Sequence, residues 1–202
     1  MTELRYPLLS LSRLRMETDG AGVTTLAAGA GCPLRCKWCL NGRLLQEAKP
    51  TFVSPQELYD RVKIDNLYFQ ATGGGITFGG GEALLHGDFI RAFRKLCGNT
   101  WKINVQTSLQ VPREQLAEDA VDCYIVDIKD MDPEIYRSYT GADVQRALEN
   151  LRYLLGKIGP ERITVRVPLI PEYNTEADQK ASLQQLSAMG ITKVDCFSYI
   201  KR

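Results

Sequence analysis

The chain has 202 residues, of which 44% are hydrophobic and 24% charged, and its basic and acidic residues leave a formal net charge of +1. That length predicts a single domain spanning residues 1–202. The near-neutral charge gives no bulk electrostatic reason to bind nucleic acid or an anionic membrane. No apolar run approaches the roughly 20 residues that span a bilayer, and the acidic residues near the start are not those of a targeting segment. We therefore expect a cytoplasmic protein without a nucleic-acid or membrane partner.

Short apolar runs of β type alternate with amphipathic stretches of helical length along the chain. The predicted strands, in chain order, are Val23–Ala28, Gly75–Phe78, Lys102–Gln106, Cys123–Ile128, Ile163–Leu169 and Lys193–Tyr199. The predicted helices are Pro55–Lys63 behind a Ser54 cap, Asp88–Cys97, a short Arg113–Glu118, the longest at Asp143–Ile158, and Glu176–Met189. Six strands with helical crossovers imply a parallel sheet with right-handed connections. The predicted fold is therefore α/β, a partial (β/α)6 TIM-like barrel with reactive groups at the carboxyl ends of its strands.

Three of the six cysteines, Cys32, Cys36 and Cys39, lie within eight residues of one another. Clustered thiolates favour zinc or iron–sulfur. A structural zinc site needs four ligands, but these cysteines share one loop and the only histidine, His86, is far away in sequence. A [4Fe–4S] cluster normally takes four cysteines, so three would leave one iron open to a substrate or cofactor. The spacing favours iron–sulfur, with zinc, or a fourth ligand brought in by folding, as alternatives.

The other cysteines are scattered singly along the chain. Cys123 and Cys196 lie in apolar segments. Since free cysteine is commonly a small buried hydrophobe, we expect both to pack in the core.

The segment from Gly31 to Asn41, GCPLRCKWCLN, resembles the C-x3-C-x-aromatic-C motif of the radical S-adenosylmethionine (SAM) superfamily, with Trp38 at the aromatic position. With the preceding sequence DGAG at 19–22, it is similar to the activating enzymes of glycyl-radical enzymes. The resemblance implies that the three clustered cysteines are the catalytic metal ligands of a [4Fe–4S] cluster, with Trp38 and Asn41 beside the cofactor SAM. It also implies a flavodoxin or ferredoxin-like reductant, cleavage of SAM to a 5′-deoxyadenosyl radical, and hydrogen abstraction from a glycine of a partner glycyl-radical enzyme. The alternatives are a radical enzyme acting on a peptide or small metabolite and, more distantly, a non-catalytic zinc-binding module.

Two further motifs follow predicted strands. Gly80-Gly81-Glu82 comes after the second strand, and glycines allow a ligand to approach the backbone closely. The resemblance implies that these residues receive the amino group of SAM. Asp127 and Lys129 end the fourth strand and, by alternation, share one face. The resemblance places them at the cofactor, and the alternative is a structural salt bridge at the strand end.

The remaining candidates lie on the third and fifth predicted strands. Arg166 stands in an apolar strand and must find an anion, either the cofactor or a structural aspartate. Thr107 is a further cofactor candidate, and its neighbour Gln106 replaces an acidic residue that helps the activating enzymes to hold a monovalent cation. Of the residues that would form that cation site, Thr107 and Asp127 are still present. Residues 41–73 contain no cysteine, so we expect a single cluster and no ferredoxin-like insert.

Overall fold

Eight strands form one open sheet in the computed structural model, which describes residues 4–200, and their order is β3-β1-β2-β4-β5-β6-β7-β8. The strands are β1 (Tyr6–Met16), β2 (Val23–Gly29), β3 (Thr51–Val53), β4 (Gly75–Gly80), β5 (Lys102–Thr107), β6 (Cys123–Asp127), β7 (Ile163–Leu169) and β8 (Val194–Ser198). From β2 through β4 to β8 every neighbouring pair is parallel. The predicted parallel core of an open, partial barrel is therefore confirmed.

Two antiparallel strands, β1 and β3, extend this core at the β2 edge and were not predicted. The eleven residues of β1 lack a regular alternation because the pairing with β2 shifts register twice, between Leu8 and Ser10 and between Ser12 and Arg15. Each irregularity resets the two-residue period by which a strand is recognised in sequence. With only three residues, β3 is too short to show a period.

Within residues 4–200, seven helices connect the strands: α1 (Gly42–Glu47), α2 (Pro55–Val62), α3 (Asn66–Thr72), α4 (Gly87–Cys97), α5 (Pro133–Thr140), α6 (Gln145–Ile158) and α7 (Glu176–Ala188). Four of them match predicted helices, and α2 starts with a capping box between Ser54 and Glu57. The predicted helix at Arg113–Glu118 is wrong, because only a 3-10 turn forms at Arg113–Gln115. The short helices α1, α3 and α5 were not predicted.

Helix α5 has clear local signals that sequence periodicity did not capture. The Asp132 side chain accepts hydrogen bonds from the Glu134 and Ile135 amides, and Pro133 occupies the first turn. The helix ends at Gly141, whose φ of +75° is the left-handed conformation that glycine adopts readily. This ending brings the last turn of α5 against the cysteine loop.

The hydrophobic core lies between the sheet and the helices that cover it. Its largest side chains are aromatic, and Trp101 is stacked on Tyr59 while its Nε1 donates to Asn66 Oδ1 at 2.7 Å. Cys123 is half-buried and Cys196 is exposed, and neither belongs to the buried core, so the expectation that both pack there is wrong. Cys196 lies on β8, which is the last strand of the sheet. Within residues 4–200, no helix combines the length and the apolar character needed to cross a membrane.

Candidate active site

The cysteine loop, residues 30–41, leaves the carboxyl end of β2 and is tied to α5 through its backbone. The Arg35 amide donates to the Thr140 carbonyl at 2.8 Å, and the Lys37 amide donates to the Tyr139 carbonyl at 3.0 Å. The Tyr139 hydroxyl in turn donates to the Trp38 carbonyl at 2.9 Å. These bonds fix the loop in an irregular conformation. The thiols therefore occupy defined positions at the carboxyl ends of the strands, where reactive groups were expected.

The three clustered thiols differ in exposure. Cys32 and Cys36 are half-buried and Cys39 is exposed. Burial raises the pKa of Cys36 to about 11, although the nearby Lys129 ammonium opposes the shift. Burial also raises the pKa of the Cys32 thiol. Without a metal these two thiols are protonated at neutral pH, so metal binding must release their protons.

Gly80 and Gly81 let the end of β4 pack directly against the start of the cysteine loop. A side chain at Gly81 would fall far inside the van der Waals distance of the Gly31 carbonyl oxygen, and Gly80 has a φ of +91°. Two backbone hydrogen bonds join the segments at this close approach: the Gly81 amide donates to the Gly29 carbonyl at 2.9 Å, and the Glu82 amide donates to the Gly31 carbonyl at 2.8 Å. The glycines are therefore required by a close backbone approach.

The same strand end is bonded to the far side of the cysteine loop. The Asn41 side-chain amide donates to the Gly80 carbonyl at 2.7 Å. Asn41 thus joins the end of the cysteine loop to Gly80, which is the last residue of β4 and the first of the Gly-Gly-Glu motif.

Glu82 is buried, and its carboxylate accepts four hydrogen bonds from the protein. The donors are the Thr107 hydroxyl at 2.6 Å, the Ser108 hydroxyl and amide at 2.6 and 2.8 Å, and the Leu84 amide at 3.1 Å. Burial raises the pKa of Glu82, while these hydrogen bonds oppose the shift. Glu82 therefore anchors the end of β5 to the end of β4, and Thr107 is one of the donors in this network.

Asp127 and Lys129 do share one face, as the alternation of the strand predicts. Lys129 Nζ lies 3.6 Å from Asp127 Oδ1 and donates to Tyr199 Oη at 3.1 Å. Burial alone would lower the pKa of Lys129, but Asp127 and Tyr199 outweigh it and raise the pKa above its ordinary value. Lys129 is therefore a buried, charged ammonium at the carboxyl end of β6, held from two sides.

Arg166 on β7 is paired across the sheet with its register partner on β8, Asp195. Its Nε donates to Asp195 Oδ2 at 3.2 Å, and its Nη2 donates to the Thr18 carbonyl. The structural aspartate that the sequence left open as an alternative is therefore present. Arg166 nonetheless faces the same cavity as the cysteine loop.

The hairpin between β1 and β2 contributes a buried carboxylate to this region. Asp19 is 1% exposed, forms a salt bridge with Arg15, and accepts a hydrogen bond from Gln106 Nε2 at 2.6 Å. Gln106 stands where the activating enzymes have an acidic residue. Its side-chain amide donates instead to Asp19, a carboxylate that comes from the hairpin between β1 and β2.

One cavity of about 350 Å³ collects every candidate residue named from the sequence. These residues are Cys32, Cys36, Trp38, Cys39, Asn41, Gly80, Gly81, Glu82, Thr107, Asp127, Lys129 and Arg166. Other cavity-lining residues were missed, among them Arg15, Asp19, Ser108, Tyr139, Phe197 and Tyr199. Aromatic rings close one side, where Trp38 meets Tyr173 edge-on at 5.9 Å.

The donor chemistry of the cavity fits a thiolate-bound iron–sulfur cluster. Three soft sulfur ligands line its wall, and in the part of the chain that the structure describes no three His, Cys, Asp or Glu side chains converge around a single ion. A four-iron cube carries its irons at separate corners and does not need that convergence. The buried Lys129 ammonium adds a positive charge where an anionic group of a cofactor could bind.

The sequence model of the radical SAM superfamily matches residues 27–181, which include the cysteine loop and the strands from β4 to β7. The chain belongs to the radical SAM superfamily. Radical SAM proteins are enzymes that use a [4Fe–4S] cluster and SAM.

Curated relatives of this radical SAM chain are activating enzymes. It is 26% identical over 191 residues to the pyruvate formate-lyase 1-activating enzyme of Escherichia coli, a match that covers 90% of this chain and 76% of that relative. It is 27% identical over 192 residues to the pyruvate formate-lyase-activating enzyme of Clostridium pasteurianum, covering 90% of this chain and 77% of the relative. The (2S)-3-sulfopropanediol dehydratase activating enzyme of Klebsiella oxytoca is 32% identical over 127 residues, or 61% of this chain and 39% of that enzyme.

Solved structures support the radical SAM fold at low sequence identity. Streptococcus suis SuiB superposes with a TM-score of 0.65 and 12% identity, covering 88% of this chain and 40% of SuiB. QueE from Escherichia coli gives a TM-score of 0.52 and 12% identity, covering 96% and 94%.

Tyr199 is the most informative of the residues that sequence reasoning missed. It follows the last parallel strand at the same carboxyl edge as Lys129, so its position was available as a signal once β8 was predicted. Tyr139 had no such signal, because α5 was not predicted. Asp19 was noticed only as part of the DGAG motif, since nothing in its sequence neighbourhood shows that it returns to the barrel interior.

Proposed function

We propose that this radical SAM enzyme is an activating enzyme that forms a radical on a backbone glycine of a partner glycyl-radical enzyme. One observation supports it most: a single cavity joins the three clustered thiols, the glycine-rich end of β4 and the Asp127–Lys129 pair. The sequence similarity to named activating enzymes over 90% of the chain supports the same assignment. We further propose that residues 1–202 act as one domain, since all eight strands belong to one sheet.

The cysteine loop is assigned to the cluster. Cys32, Cys36 and Cys39 would each bind one iron, and the bonds from the loop to α5 hold them at fixed spacing. When bound, the cluster and SAM supply a one-electron reductive cleavage of the cofactor to a 5′-deoxyadenosyl radical, which abstracts a hydrogen atom. The protein supplies position and exclusion of water.

The charged side chains of the cavity are assigned to orienting SAM. Lys129 is already charged and presented by Asp127 and Tyr199, so it can bind the carboxylate of the cofactor. Arg166 shares its guanidinium with Asp195, which leaves it a secondary contact to the cofactor. Because its carboxylate is saturated by four donors, Glu82 acts by shaping the backbone where the amino group of SAM would bind.

The aromatic side of the cavity is assigned to excluding water. Trp38 is held by Tyr173 and, through its carbonyl, by Tyr139. These rings pack against the loop that carries the thiols, and a drier cavity protects a reactive radical from side reactions.

The class of chemistry is tested by anaerobic reconstitution with iron and sulfide, followed by dithionite and SAM. We expect 5′-deoxyadenosine, and its absence from a cluster-loaded sample would reject the proposal. Cys36→Ala should lose both iron content and cleavage. The matched control is Cys196→Ala, which removes an exposed thiol on β8 outside the cavity and should lose neither.

The substrate is tested separately by electron paramagnetic resonance. A candidate glycyl-radical enzyme incubated with the loaded protein, dithionite and SAM should give a glycyl radical signal. Formation of 5′-deoxyadenosine without that signal, but with consumption of a peptide or small metabolite, would replace the glycine partner by the alternative substrate. The physiological reductant is proposed to be a flavodoxin or ferredoxin-like protein.

A further inference from the structure

We infer that Asp130, a buried carboxyl group behind the cavity wall, is a positioning residue that fixes the aromatic side of the cavity. It acts through the turn after β7, residues 170–174, which packs Tyr173 against Trp38. The inference rests on the proposed function for its consequence, because that function assigns Trp38 to the side of the cofactor site that excludes water.

Asp130 follows Lys129 directly in the chain but does not share its surroundings. Lys129 lines the cavity, whereas Asp130 does not line it and is 1% exposed. The hydrogen-bond partners of Asp130 are all neutral, and within residues 4–200 no basic side chain bonds to it. A buried carboxyl group without a cation is costly, so a salt bridge does not explain this residue.

What Asp130 provides is acceptor oxygens for three separate segments. Its Oδ1 accepts from the Asp132 amide at 2.9 Å, at the start of α5, and from the Ser182 hydroxyl at 3.2 Å, on α7. Its Oδ2 accepts from Asn174 Nδ2 at 3.0 Å, in the turn after β7. An asparagine could not serve all three donors, because one of its two terminal atoms is itself a donor.

Asn174 passes this constraint to the backbone of the turn. Its Oδ1 accepts from the Ile170 amide at 2.6 Å, and its Nδ2 also donates to the Pro168 carbonyl at 3.1 Å. Inside the turn Glu172 has a φ of +72°, a left-handed conformation that is strained for a residue other than glycine. Such strain persists only where surrounding bonds determine the backbone. We assign that task to Asn174, which Asp130 holds in turn.

The strained turn presents the ring of Tyr173 to the cavity wall. That ring meets Trp38 edge-on at 5.9 Å and Tyr139 edge-on at 5.0 Å, measured between ring centroids. Trp38 and Tyr139 line the cavity, whereas Tyr173 stands behind them. Ile170, at the start of the turn, is buried with Tyr139 and Tyr199 in a small apolar cluster on which Trp38 packs. The contacts that begin at the buried carboxyl group therefore end on the cysteine loop.

The variant Asp130→Asn keeps the size of the side chain and breaks one of its bonds. The new amide oxygen is expected to face Asp132 and Ser182, where it keeps two hydrogen bonds. Its NH2 group then meets the NH2 group of Asn174, and two donors cannot bond to each other. The turn should therefore loosen while the start of α5 stays in place.

Two further variants accompany it. Asp65→Asn is the matched control, because it replaces another buried carboxylate, which Arg13 and Thr25 hold outside the cavity. Tyr173→Leu removes the half-buried ring that is proposed to transmit the effect, without opening the core. The double variant Asp130→Asn with Tyr173→Leu tests whether the two residues act through the same contact.

The first measurement is quenching of tryptophan fluorescence by acrylamide in the cluster-free full chain. The chain has two tryptophans, and Trp101 is 1% exposed, so the quencher reports on Trp38. The quenching constant should rise in Asp130→Asn and in Tyr173→Leu. It should stay at the wild-type value in Asp65→Asn.

The second measurement is the Kd for SAM of the cluster-loaded protein. It should rise about three- to tenfold in Asp130→Asn and in Tyr173→Leu, and the double variant should bind no more weakly than Tyr173→Leu alone. With dithionite and saturating SAM, the rate of 5′-deoxyadenosine formation should stay within about twofold, since the groups assigned to SAM and the cluster are unchanged.

Each contrary result has a defined meaning. Unchanged quenching or an unchanged Kd in Asp130→Asn overturns the positioning role, and so do additive losses in the double variant or equal losses in Asp65→Asn. Failure of Asp130→Asn to fold, when Asp65→Asn does fold, makes Asp130 a stability residue and also overturns it. Absence of 5′-deoxyadenosine in the cluster-loaded wild type rejects the proposed function instead, and the quenching of Trp38 still decides whether Asp130 positions it.

Discussion

Replacing Tyr199 by phenylalanine tests whether this residue presents Lys129 to the cofactor. The change removes only the hydroxyl that accepts the hydrogen bond from Lys129 Nζ at 3.1 Å and leaves the ring in place. Lys129 then retains Asp127, at 3.6 Å, as its partner. The ammonium should turn toward that carboxylate and become less available to a second anion.

The size of the effect follows from the kind of bond. A hydrogen bond to a charged group contributes roughly 1.5–3 kcal/mol, and about 1.4 kcal/mol corresponds to a factor of ten. Because Asp127 compensates in part, we expect the lower end, an increase of about tenfold in the Kd for SAM. The rate of 5′-deoxyadenosine formation at saturating SAM should stay within about twofold, since a uniform binding interaction has been removed.

The assay is equilibrium dialysis with labelled SAM on the cluster-loaded protein, with iron content measured in parallel. Tyr153→Phe is the matched control: its hydroxyl donates to Glu118 Oε1 at 2.8 Å, outside the cavity. That variant loses a comparable bond to a charged group and should keep its affinity for SAM. An unchanged Kd in Tyr199→Phe, or an equal increase in Tyr153→Phe, would refute the role assigned to Tyr199.

Two further predictions concern the scaffold of the site and the stability of the fold. Gly81→Ala drives a methyl group into the cysteine loop, so the iron content after reconstitution should fall together with a loss of about 1–3 kcal/mol in stability. Gly156→Ala adds a methyl group in open space on α6 and should keep full iron content; equal iron in both variants would contradict the packing argument. Burial would raise the pKa of Asp65, but hydrogen bonds from Arg13 and Thr25 lower it below its ordinary value. The ionised carboxylate therefore stabilises the fold above about pH 4, and this contribution is lost as the pH falls through the lowered pKa of the folded state. Asp65→Asn should therefore lower the Tm by roughly 2–8 °C at neutral pH in thermal unfolding, with a difference that shrinks toward about pH 3, and a difference independent of pH would contradict the assignment.

The sequence predicted the parallel core well because β2 and the strands from β4 to β8 carry local signals. Lys102–Gln106 and Ile163–Leu169 are short apolar runs flanked by helical stretches, and each emerged as a strand within one residue of its predicted bounds. The irregular β1 and the three-residue β3 carry no such local signal and were not predicted. A strand with shifted register, or one too short to show a period, is recognised only by its partner.

What the sequence determined alone is the chemistry that is local in the chain. The spacing of Cys32, Cys36 and Cys39 defines a thiolate site, and the Gly80-Gly81-Glu82 run defines a close backbone approach, because both depend on neighbours a few residues away. The family membership followed from these motifs.

Only the tertiary structure decided which distant side chains complete the site. Tyr199 meets Lys129 across 70 residues, and Asp19 meets Gln106 across 87. The four donors that saturate Glu82 depend likewise on how the ends of β4 and β5 align. Such contacts are set by the order and register of the strands, which no local pattern records, and so the partners of each charge became visible only when the sheet was assembled.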